Sequence, residues 1–302
     1  MPGTGRFAPS PSGELHVGNL RTAALAWLVA RSSGRSFLLR IEDLDQQRSR
    51  PEYAAGQITD LRALGLDWDG QPVWQSTRLE DYRHALARLA DAGYTYECFC
   101  SRREIREAQS APHAAAGRYP GTCRELTAAE RDERRRAGRP ATVRLRAGDA
   151  RRSWNDLVLG PRRGVADDVV LCRWDGALAY NLAVVTDDIW QGVDQVVRGD
   201  DLVEQTATQI LLTELLGGHV PEFGHVPLVV NTRGQRLAKR DGAVTLTDLG
   251  RAGHPPEGVV RWILDSLSPG VPSGSRDLAE AVSGFDVRRI PRAPWVFRPP
   301  GC

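Results

Sequence analysis

The sequence predicts an α/β fold built on a parallel sheet. Three observations lead there: short apolar runs alternate with stretches of helical apolar spacing, a Pro, Ser and Gly loop opens directly into a helix, and 302 residues suffice for about two domains or one with a large insertion. With 41% apolar and 26% charged residues the composition is globular, not disordered, collagen-like or coiled-coil.

In order, Gly5 to Ala8 reads as a first strand, Pro9 to Gly13 as a loop and Asn19 to Arg31 as a helix. Ser36 to Ile41 is a second strand ending in Glu42 and Asp43, and Glu52 to Leu66 and Leu79 to Ala92 have the spacing of amphipathic helices. Around Cys98 the alternation breaks into a turn-rich, Arg-rich insertion lasting to about Val169. Strands are expected again at Val169 to Trp174, Asp194 to Val197 and Val226 to Val230, with a helix over Leu202 to Leu216. From Ser268 onward Pro and Gly recur, which predicts a loosely ordered end. The chain thus divides into 1–97 and 169–250, two halves of one sheet domain, around an insertion at 98–168, with a short helical and loosely ordered tail at 251–302. Parallel sheets bind ligands beyond the carboxyl ends of their strands, where the loop Pro9 to Val17 and Glu42 fall.

Apolar stretches such as Ala23 to Ala30 are far short of the ~20 residues that span a bilayer. Met1 to Ser10 has no basic segment followed by an apolar core, and five cysteines, an odd number, point to reduced thiols or a metal. A cytoplasmic chain without membrane contact is therefore expected; a monomer is expected as well, though no feature of the sequence fixes it. The net charge of +2 conceals an asymmetry: residues 101 to 163 hold sixteen Arg and eight Asp or Glu, a local excess of +8. Such a segment is either a surface for a polyanion or a solvated face, Arg134 to Arg136 being the clearest instance. Thirty-nine of the forty basic residues are Arg and one is Lys239, a place where a compact ammonium on a flexible stem is not replaced by a planar fork.

Two constellations suit a nucleotide. Arg6-Phe-Ala-Pro-Ser-Pro-Ser-Gly-Glu-Leu-His16-Val-Gly18-Asn19 runs from a strand end into a helix start, where backbone N–H groups and the helix dipole favour phosphate, Gly18 permits close approach and His16 can donate to a phosphoryl oxygen. Arg236-Leu-Ala-Lys239-Arg240 places three cations in a polar loop suited to a polyphosphate. Alone, His16 is equally a turn cap and the second segment an exposed basic loop.

Together they resemble the class I aminoacyl-tRNA synthetases. His16-Val17-Gly18-Asn19 is similar to the HIGH motif and Arg236 to Arg240 to KMSKS, with Asn19 at the second His, Arg236 at the first Lys and Ala238 at the Ser before the retained Lys239. Arg6 to Gly13, Leu39-Arg-Ile-Glu-Asp-Leu-Asp45, Tyr180-Asn-Leu-Ala and Val197-Arg-Gly-Asp-Asp-Leu202 resemble the glutamyl and glutaminyl branch, over roughly residues 5 to 250. The resemblance implies a Rossmann nucleotide-binding fold and ATP-dependent ligase chemistry. His16, Gly18, Asn19 and Lys239 would bind ATP with its Mg²⁺, with His16 and Lys239 catalytic. Arg6, Ala8, Ser10, Glu42, Tyr180 and Arg198 would bind L-glutamate: Arg6 and Arg198 the carboxylates, Glu42 the α-ammonium.

About fifty residues follow the KMSKS-like loop, whereas full-length members carry a further anticodon-binding domain, which is not expected here. That resembles the truncated members that activate glutamate without tRNA and esterify it to queuosine at the wobble position of tRNA(Asp). A minimal enzyme charging the tRNA 3′ end and a non-catalytic tRNA-binding paralogue are the alternatives. In those truncated members the insertion holds one zinc ion. Cys98-Phe-Cys100 and Cys123 supply three thiolates for tetrahedral Zn²⁺, with a turn at Pro120 and Gly121 to bring Cys123 back. The resemblance gives Tyr119 as fourth ligand, and His113 is the conventional alternative. Cys172 and Cys302 read as ordinary thiols.

Overall fold

The computed structural model describes residues 3–109, 118–237 and 244–298. Lys239, Arg240, His113 and Cys302 lie outside them. The first part of the chain forms β1 (Thr4–Phe7), α1 (Val17–Ser32), β2 (Ser36–Ile41), α2 (Pro51–Ala63), β3 (Val73–Trp74) and α3 (Leu79–Asp91). The middle contributes β4 (Thr95–Cys98), α4 (Arg102–Gln109), α5 (Ala128–Arg136), β5 (Thr142–Leu145), β6 (Arg151–Asp156), β7 (Gly160–Val165) and β8 (Val170–Cys172). Then come α6 (Tyr180–Trp190), β9 (Gln195–Gly199), α7 (Thr206–Leu215), β10 (Glu222–Val226), β11 (Val229–Val230), α8 (Leu246–Arg251), α9 (Pro256–Ser266), α10 (Leu278–Val282) and β12 (Trp295–Val296).

The main sheet is parallel, in the order β10-β9-β1-β2-β3. The chain leaves β1 toward β2 on one side and returns as β9 on the other, so a crevice opens at the carboxyl ends of β1 and β9, the switch point at which such sheets bind ligands. Helix α1 lies against this sheet. Twelve of its sixteen residues are buried, more than a single packed face requires, because α10 and the segment after it cover the opposite side. Leu20, Leu25 and Leu28 are fully buried, each contributing roughly 1.5–3 kcal/mol.

Three sequence expectations change. Val170–Cys172 does not continue the parallel sheet: β8 pairs antiparallel with β5, which pairs with β4, so the inserted sheet begins at Thr95 and ends at Cys172. Apolar content alone does not tell a strand which sheet to join. The run Val226 to Val230 breaks into β10 and β11 because Pro227 has no N–H to continue a ladder. The segment 251–298 is not a loose tail. Val259, Val260, Ile263, Leu264 and Leu267 bury one face of α9, Ile290 and Phe297 join the same core, and β12 pairs with β11. Its Pro and Gly end elements without preventing packing. Arg21, almost wholly buried in α1, ties this segment down: its Nε donates to Ser266 Oγ at 2.9 Å and its Nη1 to the Pro227 carbonyl at 2.8 Å.

Candidate active site and metal cluster

A cavity of about 540 Å³ occupies the crevice. Its wall includes Arg6, Ala8, Ser10, His16, Gly18, Asn19, Glu42, Tyr180 and Arg198, which the fold brings together from β1, α1, β2, α6 and β9. Leu237, the residue before the undescribed 238–243, lines the cavity, and on the other side of that segment Val244 accepts the Val17 N–H at 3.0 Å. Arg236 also lines it and donates to Asp201 Oδ2 at 2.6 Å.

His16 is the N-cap of α1. Its Nδ1 accepts from the Gly18 and Asn19 N–H groups at 3.1 and 3.4 Å, while Asn19 Oδ1 accepts the His16 N–H at 3.2 Å, a reciprocal capping box. This accounts for Asn19: the first turn needs a short side-chain acceptor at that place. Gly18 is equally determined, since a Cβ there would lie 2.8 Å from the His16 ring. The geometry corrects one expectation, that N–H groups near Gly18 cradle a phosphate. The Val17, Gly18, Asn19 and Leu20 N–H groups are all taken within the protein. An imidazole accepting at Nδ1 carries its proton on Nε2, and His16 stands in the cavity wall at the positive end of the α1 dipole.

The side of the cavity formed by Arg6 and Glu42 rests on buried charges that sequence reading missed. Arg40 is fully buried; its Nη1 donates to Asp188 Oδ1 at 2.8 Å and to Gln191 Oε1 at 2.7 Å, with Glu42 Oε1 at 3.6 Å and Asp187 Oδ2 at 3.7 Å. Arg6 donates to both oxygens of Asp188 at 3.3 and 3.4 Å. Asp187 accepts from Gln75, Arg78 and Tyr82 at 3.0, 2.7 and 2.8 Å. Arg40 and Glu42, two apart on and just beyond β2, share a face. The Asp187-Asp188 doublet within an apolar helical run was the overlooked signal, because a buried carboxylate needs a cation. Burial pushes Glu42 up to about 7, prevailing over Arg40 and Arg6, and its Oε1 is buried without a hydrogen-bond partner. That carboxylate can receive a ligand cation.

In the inserted sheet Cys98, Cys100 and Cys123 bring their sulfurs within 4.8 Å of one another. Cys100 Sγ lies 3.5 Å from Cys123 Sγ, and the Tyr119 hydroxyl is 3.2 Å from Cys98 Sγ and 3.4 Å from Cys100 Sγ. These separations are somewhat shorter than the edges, about 3.5–3.8 Å, of a tetrahedron with metal–sulfur bonds of about 2.3 Å, so a bound ion would spread the donors by a few tenths of an ångström. Gly121, at φ +80°, makes the turn that returns Cys123. Arg134 Nη1 approaches Cys123 Sγ at 3.8 Å, and hydrogen bonds from Cys100 and Cys123 hold the Cys98 thiol far below its ordinary range. The three thiols could hold a metal ion, and among the described residues the Tyr119 hydroxyl lies against two of their sulfurs. Much of the insertion's positive charge is internally paired: Arg124 with Asp168, Arg135 with Glu97 and Asp132, Arg139 with Glu104, Arg146 with Glu125. Arg151, Arg162 and Arg163 on the β6–β7 ribbon are exposed. Among the described residues no helix is long and apolar enough to cross a membrane.

Residues 4–274 match the family model of the class I (E and Q) tRNA synthetase catalytic domain. A Nocardia farcinica protein named Glutamyl-Q tRNA(Asp) synthetase is 59% identical over 295 residues, covering 98% of this chain and 93% of its own. A Symbiobacterium thermophilum protein of the same name is 47% identical, covering 96% of this chain and 94% of its own. Among solved structures, a glutamate tRNA ligase from Elizabethkingia meningosepticum, crystallised with its amino acid, superimposes with a TM-score of 0.83 at 26% identity, covering 99% of this chain and 68% of that one.

Proposed function

We propose, from the premise that this chain belongs to the class I tRNA synthetases of the glutamate and glutamine branch, that it activates L-glutamate with ATP and transfers it to queuosine in the anticodon of tRNA(Asp). The observation that carries the substrate assignment is the 59% identity to the Nocardia protein of that name. Among the charged residues of the cavity wall, Arg6, Arg198 and Glu42 offer two cations and one anion for an amino acid with two carboxylates and one ammonium. Ala8, Ser10 and Tyr180 complete that wall.

In the first step the glutamate α-carboxylate attacks the α-phosphate of ATP, supplied as its Mg²⁺ salt, and pyrophosphate leaves. The Nε2–H of His16 and the α1 dipole stabilise the charge at phosphorus, and Lys239 stabilises the departing pyrophosphate. In the second step a queuosine hydroxyl attacks the adenylate carbonyl and AMP leaves. The exposed arginines of the β6–β7 ribbon offer charge for the tRNA backbone. The setting is the cytoplasm, where ATP and tRNA are found. Glutamate-dependent ATP–pyrophosphate exchange without tRNA, absent with aspartate or glutamine, is the expected result; no exchange would overturn the activation step. The likeness to a glutamate tRNA ligase favours a second reading, charging of the 3′ end. Nuclease mapping of labelled product decides between them: label in the anticodon fragment is expected, and label at the 3′ terminus would replace the first reading with the second.

For the metal, the thiol-rich donor set, closed by an oxygen or nitrogen donor, supports zinc. Metal analysis of pure protein is expected to give about one zinc per chain, lost in Cys100→Ser together with a lowered melting temperature. Loss of zinc with an unchanged melting temperature would remove its structural role.

A further inference from the structure

The group that binds one substrate carboxylate in the reading above, Arg198, is held by a buried chain of side chains that leads away from the cavity. Arg198 on β9 and His225 on β10 are register partners in the parallel sheet. Arg198 Nε donates to His225 Nε2 at 3.1 Å, and His225 Nδ1 meets Asp156 Oδ2 at 2.5 Å. Asp156 closes β6 and is fixed in turn: its Oδ1 accepts the backbone N–H groups of Val158, Leu159 and His225 at 3.1, 3.0 and 3.1 Å. Both residues are sealed from solvent, His225 at 0% and Asp156 at 2% exposure.

The order of donors and acceptors determines the protonation state. A guanidinium only donates, so His225 Nε2 must be bare, and the single imidazole proton then sits on Nδ1, facing Asp156. Burial holds the His225 pKa below its ordinary value, and the His225 hydrogen bond keeps Asp156 ionised at about 2 although burial opposes it. On the other side of the guanidinium, Nη1 donates to Gln209 Oε1 at 2.5 Å and Nη2 to Thr206 Oγ1 at 2.9 Å and the Leu202 carbonyl at 3.3 Å. Four of its five N–H donors are therefore committed to the protein, and the plane of the fork is set before a ligand arrives. Only the Nε contact fixes the rotation of that plane through a residue whose own tautomer is dictated from behind.

We infer that Asp156 and His225 are positioning residues for the activation step, a tautomer-fixing relay that orients Arg198 toward a substrate carboxylate. The inference rests on the glutamate reading of the cavity. Both residues lie outside the cavity wall; His225 Nε2 also lies 3.2 Å from Thr206 Oγ1, itself an acceptor of Arg198 Nη2, so both contacts of that ring nitrogen lead to Arg198.

The test is glutamate-dependent ATP–pyrophosphate exchange with the full chain. Asp156→Asn retains shape but turns an amide N–H toward His225 Nδ1, which drives the imidazole proton to Nε2 and sets donor against donor at Arg198. Its KM for glutamate is expected to rise about tenfold, the loss of one charge-assisted hydrogen bond, with KM for ATP within about twofold of wild type. His225→Asn, which can still reach Asp156 but offers Arg198 no acceptor, is expected to do the same. His225→Gln, whose amide oxygen falls near the Nε2 position, is expected to recover most of the loss. Should Asp156→Asn not fold, the His225→Asn and His225→Gln comparison stands by itself. An unchanged KM for glutamate, or KM values for glutamate and ATP rising together, would overturn the relay while leaving the proposed function intact. Wild-type protein without glutamate-dependent exchange would overturn both.

Discussion

Arg40→Leu is expected to destabilise the protein by about 3–5 kcal/mol, the cost of stranding buried carboxylates after their cation is removed. Arg40 has 0% exposure and, among the described residues, is the one cation in contact with all of Glu42, Asp187 and Asp188. Arg6 and Arg78 neutralise Asp188 and Asp187 from outside, but neither bonds Glu42. The loss should depend on pH, and the sign follows from linkage. Without Arg40 the carboxyls have folded-state pKa values above their unfolded ones, so the folded form takes up protons and the deficit relative to wild type shrinks toward pH 5 and grows toward pH 8. Urea denaturation at both values measures it. A deficit below about 1 kcal/mol, in the range of an ordinary exposed pair, would show that the cluster does not depend on this guanidinium.

Glu42→Gln is expected to separate stability from function. The wild-type carboxyl, ordinarily near 4.5, stands at about 7 because burial outweighs its arginine neighbours. Between those values the folded state binds more protons than the unfolded state, so wild-type stability declines as pH rises through that window, by about 3 kcal/mol in all. The amide has no proton to lose. At pH 8 the variant should therefore exceed wild type by up to about 3 kcal/mol in the absence of ligand. Glutamate activation should move the opposite way. Loss of the anion facing the substrate ammonium is expected to lower kcat/KM about 100-fold, and the rise of wild-type KM for glutamate as pH falls through 7 should vanish in the variant. A variant that keeps the wild-type KM and pH profile would show that the ammonium is bound elsewhere.

Residue order and side-chain chemistry were enough to predict the parallel α/β architecture, the cavity residues from Arg6 to Arg198, and the cysteine trio. The first follows from apolar periodicity, the second from the family resemblance that the motifs carry, and the third from cysteines closely spaced on either side of a turn. The groups that hold those residues were not predictable in the same way. Asp187, Asp188, Gln75 and Tyr82 form one hydrogen-bonded and ionic cluster with Arg6 and Arg40 across separations of more than a hundred positions, and Asp156 reaches His225 across sixty-nine. Spacing rules report neighbours on one helix or strand. They are silent on which strands become adjacent.

The same limit governs the ends of the chain. Pro and Gly after Ser268 marked where elements stop, yet whether the pieces between them pack was decided by the side of α1 turned away from the main sheet, an apolar surface that Ile290, Phe297 and the α9 face cover. In the loop before α1 the sequence by itself determined that a Pro, Ser and Gly segment carrying His16 and Gly18 runs into a helix. Only the folded backbone decided that the first-turn N–H groups are spent on the His16 ring and not on a ligand, because hydrogen-bond direction depends on where a ring settles in three dimensions. Local chemistry is written along the chain. Burial, and with it the ionisation of Glu42 and the tautomer of His225, depends on what the rest of the protein places around each group.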